Sequence, residues 1–220
     1  MKFVGNPLTI LLTAGPTHEA LDPVRFLGNH STGKMGYALA EAWAAAGATV
    51  TLVSGPTHLP DPAHAAIRTV RVTSGREMLA ACQAVAAEAD IWVFAAAVAD
   101  YRPAEISPTK IKKAGERLTL ELVKNVDVAA TLGAAKRPDQ FSVGFALETN
   151  DELRHAQAKL VSKNFDLVVL NSLADPGAGF AHDTNQVTLV DAAGATPLPL
   201  QAKTDVARHI VAAVVARRGV

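Results

Sequence analysis

The sequence predicts an α/β fold: a doubly wound, mostly parallel sheet flanked by helices, with some antiparallel strands. Short apolar β-rich runs alternate with Ala-rich runs of helical period, and such alternation closes into parallel sheets through right-handed crossovers. The run at 91–97 is apolar without alternation, as in strands covered on both faces. The chain has 220 residues, 49% of them hydrophobic, enough core for one sizeable domain spanning 1–220.

The elements follow in order. Residues 8–13 read as an apolar strand that ends in Ala14-Gly15-Pro16-Thr17. Over 34–46 the period becomes helical, with Met35, Leu39 and Trp43 four apart, and Gly47 stops it. Strands are expected at 49–54 and 67–72, and Ser74 has the chemistry of an N-cap for a helix running to about Glu88. After the 91–97 strand, 118–123 alternates as a more exposed strand, 128–134 is a short helix and 141–146 a strand. A helix at 151–162, strands at 167–170 and 186–190, and a helix at 203–216 complete the order. Segments 102–115 and 174–183 read as long loops, which in compact domains commonly bind or cover ligands. Rossmann-like sheets of this kind bind ligands beyond strand carboxyl ends, here the loops after Thr13, Ala97, Ala146 and Leu170.

Composition narrows the partners. Twenty-one basic residues balance 21 acidic ones, so the broad basic excess of a nucleic-acid surface is missing. The single cysteine, Cys82, cannot close an intramolecular disulfide, and no run supplies the ~20 apolar residues of a membrane span. A cytoplasmic protein acting on small molecules, without nucleic-acid or membrane partners, is the expectation. The seven histidines form no metal-binding spacing, and no Gly-x-Ser-x-Gly elbow is present.

The first long loop carries the strongest signal. A dinucleotide fingerprint would put Gly-x-Gly-x-x-Gly in a tight turn after the first strand, and that spacing is absent. A Walker A loop fails as well, because Met35 stands where Ser or Thr would bind Mg²⁺. Ser31, Thr32 and Gly33 nevertheless offer hydroxyls and N–H groups at a helix start, where an anion is favoured; alternatively Ser31 or Thr32 caps that helix. Lys110, Lys112 and Lys113 are three charges in four residues, suited to a phosphate ligand or else a solvated loop. Lys159 and Lys163 are four apart, predicting one helix face beside His155. Ala95-Ala96-Ala97 removes bulk at a strand end, admitting a flat ligand or close helix packing, and Asp100 beyond it has the chemistry to hold a ribose hydroxyl or Mg²⁺.

Eight motifs then arrive in one order. They are Thr13-Ala14-Gly15-Pro16-Thr17, Leu21-Asp22-Pro23-Val24-Arg25, Asn29-His30-Ser31-Thr32-Gly33-Lys34-Met35-Gly36 and Ala96-Ala97-Val98-Ala99-Asp100-Tyr101. Lys110-Ile111-Lys112-Lys113, Val123-Lys124-Asn125, Gly144-Phe145-Ala146 with Glu148-Thr149-Asn150, and Asp183-Thr184-Asn185 follow. Together they resemble the phosphopantothenoylcysteine synthetase family, over roughly 8–190.

That resemblance implies a ligase joining 4′-phosphopantothenate to L-cysteine through an acyl-nucleotide intermediate, with Mg²⁺ as cofactor. The motifs follow the bacterial pattern, which implies CTP as co-substrate, an acyl-cytidylate, a homodimer, and a flavin-dependent decarboxylase fused or working alongside. It further implies nucleotide contacts at Ala96, Asp100, Lys110, Val126, Asp127, Val128, Ala129, Phe145, Lys159 and Lys163, with Asp100 also the metal candidate. Proline is common in the family where this chain has Val126. Lys110, first of the lysine motif, is implied to be required for activity, and Asn29 to act on the acyl nucleotide. Arg25, Asn29 and Asn171 fall on the substrate side. An NAD(P)-binding reductase and a non-catalytic nucleotide sensor are the competing readings of the same fold class.

Overall fold

Seven of the strands that the sequence predicts assemble, with one more at 194–197, into one eight-stranded sheet, and the predicted strand at 118–123 lies outside it. The computed structural model describes residues 7–113, 115–148, 151–172 and 182–219; Thr149 and Asn150, and residues 174–181 of the second predicted loop, lie outside them. Chain order runs β1 (Thr9–Ala14), β2 (His18–Ala20), β3 (Phe26–Gly28), α1 (Lys34–Ala45), β4 (Thr49–Ser54), β5 (Ile67–Arg71) and α2 (Gly75–Ala86). Next come β6 (Ile91–Phe94), β7 (Tyr101–Pro103), β8 (Leu122–Lys124), α3 (Val128–Gly133), β9 (Phe141–Glu148) and α4 (Glu152–Ser162). The last elements are β10 (Leu167–Ser172), β11 (Thr184–Asn185), β12 (Val187–Asp191), β13 (Gly194–Pro197), β14 (Gln201–Ala202) and α5 (Lys203–Arg218).

The sheet order is β13-β12-β10-β9-β6-β1-β4-β5, with the six strands from β10 to β5 parallel and β12 antiparallel to both its neighbours, β10 and β13. The chain winds outward from β1 to β5, then returns to β6 on the other side of β1. Between β1 and β6 the winding reverses, and the helices that follow those two strands, α1 and α3, pack on opposite faces. A crevice at the carboxyl ends of β1 and β6 is therefore built into the topology.

Strand alternation feeds two faces. Ile10, Leu12, Val50, Leu52, Ile91 and Val93 pack with Leu39 and Trp43 of α1 and Val206, Ile210 and Val214 of α5. Leu11, Val53, Trp92 and Phe94 face the other way, onto Met78 and Cys82 of α2 and Val128 and Leu132 of α3. Ala156 of α4 joins that second face against Ala146, Val168 and Leu170. Burial pushes the Cys82 thiol up to about 12, so it stays protonated and acts as a small apolar side chain. No helix among the described residues is long and apolar enough to cross a membrane.

Several boundaries depart from expectation. Ser74 does cap α2, its hydroxyl accepting from Glu77 N at 3.3 Å. The 118–123 strand shrinks to β8, because Leu118 and Leu120 are exposed and only Leu122 to Lys124 find a partner, in β7. The 91–97 strand ends at Phe94; beyond it Ala97 N donates to Gly15 O at 2.9 Å, so the backbone follows the loop after β1 rather than a strand. Neither Ser31 nor Thr32 caps α1. Gly33 is its N-cap, left-handed at φ 80°, and no side chain caps the helix.

The loops after β1 and β4 cross at contact distance. Gly55 N donates to Ala14 O at 2.9 Å, and a Cβ on Gly55 would lie 1.8 Å from Pro16 O. Gly55→Ala must force these backbones apart. Overpacking of this kind costs about 1–3 kcal/mol, so Tm should fall by roughly 2–4 °C per kcal/mol. Calorimetry returning the unaltered Tm would mean that the crossing is not constrained.

Candidate functional site

A cleft of about 700 Å³ opens where the winding reverses. Thr13 ends its β1 wall, and residues 95–99 form a small-residue floor beyond the end of β6. Phe145, Ala146 and Leu147 of β9 and Asn171 of β10 continue the rim. Five lysines line it (Lys34, Lys124, Lys159, Lys163 and Lys203) against two aspartates, Asp100 and Asp127. In a chain of zero formal charge, this is a local concentration of positive potential suited to a polyanion.

One end is built by α3 and α4. Gly133 closes α3 against the chain leaving α4: a Cβ there would sit 2.1 Å from Lys163 O. Asn164, left-handed at φ 53°, donates its Nδ2 to Gly133 O at 3.0 Å. This junction fixes Lys163, whose ammonium pairs with Asp127. Asp127 also N-caps α3, accepting from Ala130 N at 2.9 Å. Burial holds the Lys163 ammonium below the ordinary lysine pKa; Asp100 opposes that shift and Lys124 adds to it. Lys159 pairs with Glu148 at 2.8 Å, and His155 lies 3.3 Å from the same carboxylate. The single helix face expected for Lys159 and Lys163 is corrected in one respect. Lys163 is the C-cap of α4, no longer helical, yet both lysines reach the cleft.

The other end lies on the opposite face. Lys34 and Lys203 are the first residues of α1 and α5, and both line the cleft. Lys34 pairs with Asp183 at 2.7 Å, and Lys203 Nζ donates to His182 O at 2.5 Å. Asn185 Nδ2 donates to Asn171 Oδ1 at 3.0 Å, bracing the rim between them.

The structure brings Asn29, Ala96, Asp100, Val126, Asp127, Val128, Ala129, Phe145, Lys159, Lys163 and Asn171 to this one cleft. Asn29 Nδ2 donates to Ala97 O at 3.0 Å, tying the first loop to the floor. Arg25 and Lys110 do not line it. Arg25 is engaged by Asp22, at 2.5 Å, and donates to Ile111 O at 2.7 Å. Asp22 also accepts from Ile111 N at 3.0 Å, and the Arg25 hydrogen bond holds its carboxyl well below the usual range. Arg25 thereby moors the lysine segment, and Lys110 stands exposed beside that mooring. Lys203 was not singled out by sequence reasoning. Its signal was a lysine opening a helix, where the dipole disfavours a cation.

The geometry defines an α/β protein with a cation-lined cleft at the topological switch point of a doubly wound sheet. Residues 6–217 match the DNA/pantothenate metabolism flavoprotein C-terminal domain, and the chain belongs to that family. It is 47% identical to the coenzyme A biosynthesis bifunctional protein CoaBC of Vibrio cholerae, covering 92% of this chain and 51% of that protein. It is 46% identical to a protein from an unknown prokaryotic organism named cysteine/cysteine sulfinic acid decarboxylase, over 96% of this chain and 59% of the relative. The chain thus spans little more than half the length of these relatives. Among solved structures it resembles the C-terminal domain of a coenzyme A biosynthesis bifunctional protein CoaBC. That match has TM-score 0.80 and 42% identity, over 96% of this chain and 97% of the other.

Proposed function

We propose that this chain is a phosphopantothenate–cysteine ligase of coenzyme A biosynthesis, using CTP and passing through an acyl-cytidylate. The observation that carries the reading is a single cleft gathering eleven implied site residues in a chain matched end to end by the CoaBC C-terminal domain. Homodimerisation, and operation with a flavin-dependent decarboxylase supplied by the remaining length of proteins like CoaBC, belong to the same reading.

Two steps follow. The phosphopantothenate carboxylate attacks the α-phosphorus of CTP, and pyrophosphate leaves. The cysteine amine then attacks the acyl carbonyl, and CMP leaves as the amide forms. Neither step requires a protein nucleophile, so the residues work by positioning and charge neutralisation. Phe145 and the small-residue floor give a flat ligand a surface to lie on, while Lys159 and Lys163 bring positive charge to the phosphates. In this reading Asn29, which lines the cleft, donates to the oxyanion of the second step.

The donor set fits Mg²⁺ in the manner usual for nucleotide sites, with one or two carboxylates completed by phosphate oxygens. Asp100 is the candidate ligand, since Asp127 is already engaged by Lys163 and Ala130 N. Bound there, the ion would offset charge on the phosphate oxygens.

A pyrophosphate-release assay with CTP and 4′-phosphopantothenate, with and without cysteine, tests the reading; no release under either condition overturns it. In this reading Lys110 meets the triphosphate in the nucleotide-bound state, carried by the segment that Asp22 and Arg25 moor. Lys110→Gln should then abolish pyrophosphate release, and release at the unaltered rate would strip Lys110 of that role.

A further inference from the structure

Lys34 and Lys203 are costly where they stand. Each opens a helix, where the unsatisfied N–H groups already present positive charge, so a cation there is unfavourable. The two also repel each other: burial first, and Lys34 second, lower the Lys203 pKa, while Asp183 raises it. Lys203 is 7% exposed and sits in the cleft wall. Like charges gathered this way need an anion.

Asp183 supplies one. Its carboxylate meets Lys34 at 2.7 Å, and Lys34, with smaller contributions from Lys203 and His182, holds its pKa down. The anchoring is uneven, however. The Asp183 backbone is fixed, its carbonyl accepting from Lys203 N at 2.9 Å, whereas its side chain is 88% exposed. Exposed ion pairs are weak, so a side-chain rotation releases Lys34 at small cost while the backbone, and the hydrogen bond from Lys203 Nζ to His182 O, stay in place.

We infer that Lys34 and Lys203, at the amino ends of α1 and α5, form a phosphate seat that Asp183 occupies until a phosphorylated ligand displaces it. The seat lies across the sheet edge from Lys159 and Lys163, so the cleft has an anion-accepting region on each face. A phosphate at this end could come from the CTP polyphosphate or from the monophosphate of 4′-phosphopantothenate. This inference rests on the ligase reading only for the identity of those two ligands.

Calorimetric titration of the full chain with inorganic pyrophosphate, CTP and 4′-phosphopantothenate tests it. Lys203→Gln should weaken pyrophosphate about tenfold or more, the loss of one charge-assisted contact. Asp183→Asn should tighten it, by about two- to fivefold, because the competing carboxylate is gone. A merely structural Asp183 would not produce a gain. Should Lys203→Gln fail to fold, Lys34→Gln and Asp183→Asn carry the same opposed expectations. Of the two substrates, the one that loses affinity in the lysine variants is the source of the seated phosphate. Unchanged pyrophosphate affinity in Asp183→Asn and in the folded lysine variants overturns the seat. If the opposed pyrophosphate effects appear but neither substrate binds, the seat stands and the ligase reading fails instead.

Discussion

On the proposed ligase reading, Asn29→Asp should leave a chain that makes the acyl nucleotide and then stalls. The amide of Asn29 donates from Nδ2 to Ala97 O at 3.0 Å, which fixes its plane at the rim of the cleft. A carboxylate of the same shape has no N–H to give. It would turn oxygen toward the Ala97 carbonyl, remove a donor from the developing oxyanion, and add negative charge beside an anionic intermediate. Loss of one oxyanion donor costs about 10²–10³ in rate, and that loss belongs to the cysteine step because the oxyanion forms only there. Rapid-quench with labelled CTP should therefore find one equivalent of acyl-cytidylate accumulating, with cysteine incorporation slowed by that factor. Thr17 N also donates to Ala97 O, at 3.3 Å, so the first loop keeps a second tie to the floor and nucleotide binding should survive. Unslowed cysteine incorporation would take Asn29 out of the mechanism.

How much of this was legible beforehand follows from where each signal comes from. The parallel sheet was readable because strands such as Ile91–Phe94 are buried on both faces, and α1 and α2 display their period and stops locally. The cleft was readable for a related reason: the loops at strand carboxyl ends are determined by topology, and most implied residues sit on them. The two- and three-residue ladders β2–β3, β7–β8 and β11–β14 have no periodicity of their own, since tertiary contact creates them. Alternation at 118–123 misled because a pattern needs a surface to bury it, and Leu118 has none. The engagement of Arg25 comes from a neighbour that was in plain view. Asp22 three residues earlier accepts from Val24 N and Arg25 N at 2.8 Å, an Asx-type turn that brings the carboxylate onto the guanidinium. Lys203 escaped notice because burial of a lysine cannot be read from one helix, although its position against the dipole was a clue.

On the same reading, Lys163→Gln should cost nucleotide affinity more than Lys159→Gln. Both lysines have a carboxylate partner, Glu148 for Lys159 and Asp127 for Lys163, but Lys163 is also held to the cleft by the α3 junction through Gly133 and Asn164. A contact from a fixed charged donor contributes about 1.5–3 kcal/mol, or roughly 10- to 150-fold in Kd for CTP. The same lysine predicts a pH signature. Burial lowers its pKa from the ordinary 10.5, so the folded protein releases this proton more readily than the unfolded chain. Below both values the group costs stability; as pH rises through the depressed folded value toward 10.5, that cost is relieved and stability increases. Anion binding runs the other way, because the neutral amine no longer attracts phosphate. CTP affinity should thus decline on an alkaline limb that begins below the normal lysine range, in the window where thermal stability is gaining from the same deprotonation. Lys163→Arg, charged throughout that range, should abolish the early limb while retaining most of the affinity at neutral pH. Titrations of CTP at several pH values on the two variants and the parent chain separate the alternatives. An alkaline limb that persists in Lys163→Arg belongs to another group, and a Kd for Lys163→Gln within about twofold of the parent would mean that the ammonium spends its charge on Asp127 alone.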